Sequence, residues 1–439
     1  MFAAAAAFLL LPPSIFAAES ITLHDAFRMA METHEAVSIA GEGVEQARAG
    51  QGKALSKFLP ELKVEGGYTR YSGEKTVSGF LVQPESSSRV DVTVTQPLFE
   101  GGKNLSGRRQ AELVADRSRI GLNAAKEGIV RQTARAYYGV LKAESDIEIK
   151  DAALKRALER RKVAEARFRV GEVTKSAVLR AEAEVAGAEA EATRAGAVLR
   201  DSMNILKRLT GAEGELELIR PEPLKPVEAS PEELIARSLD SRRDYRQSLI
   251  DEKVAGEGIS SVKGEFLPSL NLEGNYNWRS QNPSTTFLLE NSASAALVLS
   301  YPIFEGGLRR AELSEARSRL RESGHRRLSL KRDIGVQVME AYNDMAALDS
   351  LIESFRRQVA FAEEDYRMVF EQFKHGIATT VDVIDADTNL IEAQSSLASS
   401  VYDREVSIIE LRYAVGTLLD YVSMEASRVQ APFPATTPP

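Results

Sequence analysis

The chain contains no cysteine. That absence removes disulfides, thiolate metal sites, cysteine nucleophiles and an N-terminal lipid-modified cysteine together. Histidine is scarce: His24, His34, His325 and His375 show no HxxxH or HxH spacing, so no segment carries a histidine-rich metal motif. Positive charge is not in excess either. The 56 Lys and Arg against 64 Asp and Glu give a net charge of −8, which offers nucleic acid no whole-chain electrostatic footprint. There is no GxSxG and no GxxxxGK[ST], so the sequence points to no enzyme class and no cofactor. Long apolar runs are confined to Phe2–Ala18, read as a signal peptide over residues 1–18. Beyond residue 20 nothing reaches the roughly 18 apolar residues of a membrane-spanning helix, so a mature chain that crosses a bilayer must do so as a closed β-barrel.

What the chain does have is a copy of itself. Gln96-Pro97-Leu98-Phe99-Glu100-Gly101-Gly102 returns as Tyr301-Pro302-Ile303-Phe304-Glu305-Gly306-Gly307, an offset of 205. The same offset maps Ala136-Tyr137 onto Ala341-Tyr342, Phe168 and Gly171 onto Phe373 and Gly376, and Gly211 onto Gly416. Phe58-Leu59-Pro60 returns as Phe266-Leu267-Pro268 at an offset of 208. A period near 200 marks two copies of one large unit rather than a solenoid of short repeats. The expected organisation is a first repeat over 19–220, a proline-rich linker over 221–230, a second repeat over 231–425 and a disordered tail over 426–439.

Each copy opens with a helical stretch, about 22–57 and 231–264, that stops at Phe-Leu-Pro because proline cannot continue a helix. Strict alternation follows. Leu270, Leu272, Tyr276 and Trp278 interleave with Asn271, Glu273, Asn275 and Asn277, and Val90, Val92 and Val94 with Asp91, Thr93 and Thr95. Leu62, Val64 and Tyr68 alternate in the same way, and a less polar fourth strand runs near Ala295, Leu297, Leu299 and Tyr301. Period two means a strand with one apolar and one polar face. The joining segments, about 72–88 and 279–292, read as long hairpin loops. Residues 98–220 and 303–431 then contain no proline and are dense in Ala, Glu, Arg, Leu and Lys, which predicts long helices of coiled-coil length. Val170-Gly171-Glu172-Val173-Thr174 and His375-Gly376-Ile377-Ala378-Thr379 supply a glycine C′ and a threonine N-cap, the signals of a helix reversal. The basic stretch Lys155–Arg169 carries Glu159 and Glu165 at pairing distance and reads as a solvated helix face.

Strands of about ten residues suit a tilted crossing of a bilayer, but spanning barrels need about eight or more strands, so a chain with four must assemble with copies of itself. Alternation alone equally allows a small soluble sheet packed on helices, as in a structural coiled-coil protein or periplasmic tether. Tyr68, Tyr71, Tyr276 and Trp278 fit an aromatic girdle and fit ordinary strand positions as well.

The duplicated FLP…QPLFEGG order, followed by helices carrying VGEVTKSAVLRAEAE in one copy and HGIATTVDVIDADTNL in the other, resembles the TolC-type outer-membrane factors of Gram-negative bacteria over about residues 20–425. The resemblance implies a mainly α fold with a β-barrel portion. Three chains would join long antiparallel coiled coils into an α-barrel tunnel through the periplasm and twelve strands into one outer-membrane barrel. It implies an exit duct for efflux or type I secretion, lodged in outer-membrane lipid. Its implied partners are two further copies, a periplasmic adaptor (membrane fusion protein) and an inner-membrane transporter of the RND, ABC or MFS type. Asp382 and Asp385, three apart near a helix start, match the family's inner-helix carboxylates that ring the closed aperture; without the family they read as ordinary dipole-complementing residues. The reversals Val170, Gly171, Glu172, Val173, Thr174 and Gly376, Ile377, Ala378, Thr379, Thr380 match the tips where adaptors dock. This chain departs from relatives that lock their helix pairs through an Asp, a Tyr and an Arg: Ala177, Phe373 and Ala378 stand there instead. Either packing and charges around Phe373 hold the resting state, or the closed duct is looser.

Overall fold

A computed structural model describes residues 19–286 and 288–429, so the expected signal peptide and the tail beyond Val429 lie outside the described residues. The element order is β1 (Glu19–Ile21), α1 (Leu23–Thr33), α2 (Glu35–Ser56), β2 (Glu61–Arg70), β3 (Lys75–Val77), β4 (Phe80–Gln83), β5 (Ser86–Glu100), α3 (Lys103–Arg169), α4 (Lys175–Thr210), β6 (Leu216–Leu218), α5 (Pro231–Ser241), α6 (Arg243–Gly264), β7 (Ser269–Asn282), β8 (Asn291–Ser300), α7 (Leu308–Lys374), α8 (Thr380–Val415) and α9 (Leu418–Val429). The duplication holds through the helices α1–α4 and α5–α8. α1 and α5 have 11 residues each, α2 and α6 22, α3 and α7 67, and α4 and α8 36.

Three details differ from the sequence reading. The expected helices over 22–57 and 231–264 are each broken once, at His34 (ψ 130°) and Arg242 (ψ 128°), where one residue turns extended without a proline or glycine to announce it. The first hairpin loop holds a small β3–β4 ladder of its own. α9 carries helix through Val429, past the expected start of the tail at 426. Both opening helices are fixed by the same device, a capping box of Thr22 with Asp25 and of Ser230 with Glu233.

The chain divides into two contact units. One takes in Ala40–Asn123 and Arg243–Arg332 and holds a four-stranded antiparallel sheet in the order β2-β5-β7-β8. Register places Leu62 beside Val94, Val92 beside Tyr276, and Leu272 beside Leu297, so directly opposed residues gather the apolar side chains on one face. Lys63, Thr93 and Asn275 share the other face, where Thr93 Oγ1 and Asn275 Oδ1 lie 3.0 Å apart. The apolar face is open: Leu62, Val64, Tyr68, Leu297 and Leu299 are each more than 60% exposed.

The other unit takes in the chain up to Ile39, Ala124–Arg242 and the chain from Asp333. Here α3 lies antiparallel to α8, tied by Arg135–Glu410 (2.6 Å), Lys142–Asp403 (3.0 Å) and Arg156–Asp387 (2.5 Å). Arg404 Nε on α8 reaches Asp349 of α7 at 2.6 Å, and the linker is fastened along α8 because Leu224 N donates to Glu405 Oε2 at 2.7 Å. β1 and β6 pair in parallel, a three-residue ladder too short to read from sequence. Tyr137, fully buried, donates its hydroxyl towards Ile21 O (3.0 Å) and Ile219 O (2.6 Å), joining α3 to both strand ends. Burial raises its phenol pKa, so it stays a neutral donor at any physiological pH. Tyr137→Phe is expected to cost about 1 kcal/mol locally. Hydrogen exchange should then show the Ile21 and Ile219 amides several-fold less protected, with the α3–α8 contacts unchanged.

Candidate functional site

The two helix reversals sit in the second of these units and are built alike. Phe168 O accepts from Gly171 N (3.0 Å) and Arg167 O from Glu172 N (2.9 Å); in the second copy Phe373 O accepts from Gly376 N (3.1 Å) and Gln372 O from Ile377 N (2.9 Å). Gly171 and Gly376 have φ of +80° and +76°, which L side chains rarely adopt, so glycine is what allows each helix to close on its own last carbonyls. Thr174 and Thr379 are the N-caps of α4 and α8, but only Thr379 uses its side chain. Val170 and Ile377 project into solvent, 71% and 76% exposed, and Val173 is half-buried.

Arg167 joins the reversals. Its Nη1 donates to Phe373 O (2.9 Å), its Nε to Glu172 Oε2 (3.1 Å), and its guanidinium lies 5.4 Å from the Phe373 ring centre. Phe373 is buried with Phe370 and Val383, and Val163, Tyr366, Val369 and Ala378 pack around them. Ala177 and Ala378 carry no polar group, so the contacts between the copies here run through Arg167 and this apolar cluster.

Asp382 stands at the third position of α8. Its Oδ2 accepts from Thr379 N (2.7 Å) and Thr379 Oγ1 (2.7 Å), while Asp382 N donates to Thr379 Oγ1 (3.3 Å). The Thr379 hydroxyl and amide hold its carboxyl below the usual carboxylate range, so it is ionised near neutral pH. Asp385 is exposed one turn further on the same helix face.

Deeper along the helices lies a cluster that the sequence did not disclose. Arg160 is buried, bonded to Glu184 of α4 and, at 2.7 Å, to Asp387 Oδ2 of α8; Arg156 Nε reaches Asp387 Oδ1 at 2.5 Å. Tyr366 of α7 completes it, 3.2 Å from Arg160 Nη1. The stretch Lys155–Arg169 is therefore not a solvated face throughout: two of its arginines turn inward, because the carboxylate that neutralises them comes from a helix 231 residues away. Burial works against the Arg160 charge, but the Glu184 and Asp387 carboxylates outweigh it and its pKa rises. One cluster thus ties α3, α4, α7 and α8 together. Among the described residues no group of His, Asp and Glu is arranged to hold a metal ion, and no helix is long and apolar enough to cross a membrane.

The model of the outer membrane efflux protein family matches residues 28–212 and again 234–417, once per repeat. The chain belongs to that family. Its matches fall on the two copies read from the sequence, and membership makes the chain an outer-membrane channel protein of the TolC type. The outer membrane protein TolC of Vibrio cholerae is 26% identical over 385 residues, 85% of each chain. The alkaline protease secretion protein AprF of Pseudomonas aeruginosa is 24% identical over 404 residues, 89% of this chain and 82% of the relative. The crystal structure of the Campylobacter jejuni CmeC outer membrane channel superposes with a TM-score of 0.80 at 17% identity, covering 92% of this chain and 88% of that one. Members of the family work with adaptors and inner-membrane transporters in efflux or secretion systems.

The ion cluster yields a test of stability. Asp387→Ala leaves two guanidiniums without their shared carboxylate and is expected to cost about 3–5 kcal/mol, whereas Arg160→Met with Asp387→Leu, which removes charge of both signs, should recover most of that loss. Thermal unfolding of the purified variants in detergent distinguishes the two.

Proposed function

We propose that this chain forms the trimeric exit duct of an efflux pump or type I secretion system. Asp382 and Asp385 line its periplasmic constriction, and the two reversals receive a periplasmic adaptor that couples it to an inner-membrane transporter. The observation that carries this reading is the sheet. Its strands have 10 to 15 residues, one face is apolar and exposed, and β2 and β8 have no strand partner on their outer edges among the described residues. A bilayer does not tolerate open edges, so in an outer-membrane protein those edges close on other copies; three copies give twelve strands, within the size range of known barrels.

In such a trimer three Asp382 and three Asp385 carboxylates converge on one narrow opening. A ring of that kind attracts cations and opposes anions. The Arg167 contacts and the Arg160–Asp387–Glu184 cluster brace the helix pairs against one another, which supports a resting state held by packing and buried charge in place of the missing Asp, Tyr and Arg. The duct itself is passive: the transporter that supplies energy also selects what passes.

Single-channel recording in a planar bilayer tests this. Small cation-preferring steps are expected, and Asp382→Ala with Asp385→Ala should enlarge them and move the reversal potential in a salt gradient towards zero. Unchanged selectivity would remove the carboxylates from the constriction. For the tips, Val170→Glu with Ile377→Glu leaves the strained glycines in place and should abolish co-purification of the adaptor; retention of the adaptor would place docking elsewhere.

A further inference from the structure

Three rings form a column near the end of α7. Tyr366 and Phe370 stack with centroids 5.7 Å apart and planes 8° from parallel, and Phe370 and Phe373 follow at 6.4 Å and 26°. Spacings of four and three residues keep the rings on one helix face, about 10 Å from end to end. The offset of 205 puts Arg161, Glu165 and Phe168 at the matching places of α3, so the column belongs to the second copy alone.

α3 grips this column at both ends. Arg156 and Arg160 lie 5.6 and 5.9 Å from the Tyr366 ring centre, and Arg160 Nη1 donates to the Tyr366 hydroxyl at 3.2 Å. Further along the same helix, Arg167 lies 5.4 Å from the Phe373 ring centre and donates to Phe373 O. Phe370, between them, has Lys374 Nζ of its own helix 4.6 Å from its ring centre. Cation–π contacts strengthen when desolvated, and Phe370 and Phe373 are buried.

The column also borders the first turns of α8. Val383 is buried with Phe370 and Phe373, and Asp387, one turn on, is the carboxylate that Arg156 and Arg160 share. α8 is thus held at two points on one face, the first apolar and the second charged. Its other face exposes Asp382 and Asp385.

We infer that Tyr366, Phe370 and Phe373 act as one latch, in which Phe370 is a positioning residue for Asp382 and Asp385. Through Phe370 the Arg167–Phe373 contact at the reversals and the Arg160–Asp387 contact on α8 hold or release together. The first two turns of α8 then move as a unit. A close-packed stack transmits displacement because a gap at one ring forfeits the contacts of the next. This rests on the duct proposed above and adds how its constriction is positioned.

Hydrogen exchange in the peptide spanning 380–390, measured on the purified protein in detergent, reads the hold on α8 without reference to conduction. Arg167→Gln removes the guanidinium at one end of the column, and Tyr366→Phe removes only the hydroxyl at the other. Each should speed exchange several-fold. Together they should fall clearly short of the product of the single effects, because each forfeits its own contact plus the shared coupling, which can be lost only once. In a Phe370→Leu background the coupling is already gone and the two effects should multiply. The first pair of changes is conservative and stands as a test even where Phe370→Leu fails to fold. Single effects that multiply in the otherwise unsubstituted chain, no effect from either change, or a shortfall that survives Phe370→Leu overturns the latch. In planar bilayers Phe370→Leu, which leaves both carboxylates in place, should enlarge the steps and weaken their cation preference. Unchanged steps beside the exchange shortfall remove Phe370 from the positioning of the constriction, and no conduction from any variant overturns the duct while the latch stands.

Discussion

Everything in the membrane portion depends on the peptide groups at the edges of β2 and β8. In water an open sheet edge is an aggregation hazard; in hydrocarbon, each unpaired N–H or C=O costs several kcal/mol, and a ten-residue edge exposes several of each. Among the described residues four strands suit a membrane crossing, all in one sheet with an apolar exposed face. Side-chain changes cannot satisfy those edges; in the proposed assembly further chains complete them. In that assembly a single chain is one sector of a closed barrel, and its open apolar face meets lipid.

In the proposed assembly, duplication is how one chain supplies such a sector. The two copies agree in the lengths of α1–α4 and α5–α8 and in the glycines that end α3 and α7 and α4 and α8, yet they do not sit in equivalent surroundings. The first copy's β5 lies between two strands of its own chain, and the second copy's β8 has one. The same sequence motif is thus paired in one place and bare in the other. Where the copies diverge in sequence the reason is partly visible: the β3–β4 ladder belongs to the first loop alone, and Tyr137 bridges Ile21 and Ile219 at a place where the second copy has a half-buried Tyr342.

Much of this was legible without coordinates because period-two alternation, proline stops and glycine reversals act locally. The strands, the two 67-residue helices and both tips fall close to where alternation, proline-free stretches and Gly-x-x-Thr spacing put them. What was not legible depended on distant partners or on very short elements. His34 and Arg242 leave the helix for one residue only, a break that propensity does not register. β1 and β6 are three residues each and exist because they meet each other. The inward turn of Arg156 and Arg160 is the clearest case, since Glu159 and Glu165 in the same stretch give every local reason to expect a wet, salt-bridged face. Asp387, far along the chain, decides otherwise.

That choice has a physical cost and so calls for a reason. Two arginines and two carboxylates lose hydration on burial, and their mutual attraction does no more than roughly offset the loss; an apolar quartet of similar volume would hold four helices at least as firmly. Apolar packing, however, is indifferent to small slips of one helix along another, whereas Arg160 can satisfy Glu184 and Asp387 together in only one alignment of α3, α4 and α8. Buried charge of this kind favours two outcomes, fully paired or separated and rehydrated, over any intermediate slide. Beside reversals packed around Phe373 and bridged by Arg167, the cluster gives the helices a defined alignment that the apolar contacts alone would leave loose; in the proposed duct that alignment is the resting state, held without polar side chains at Ala177 and Ala378.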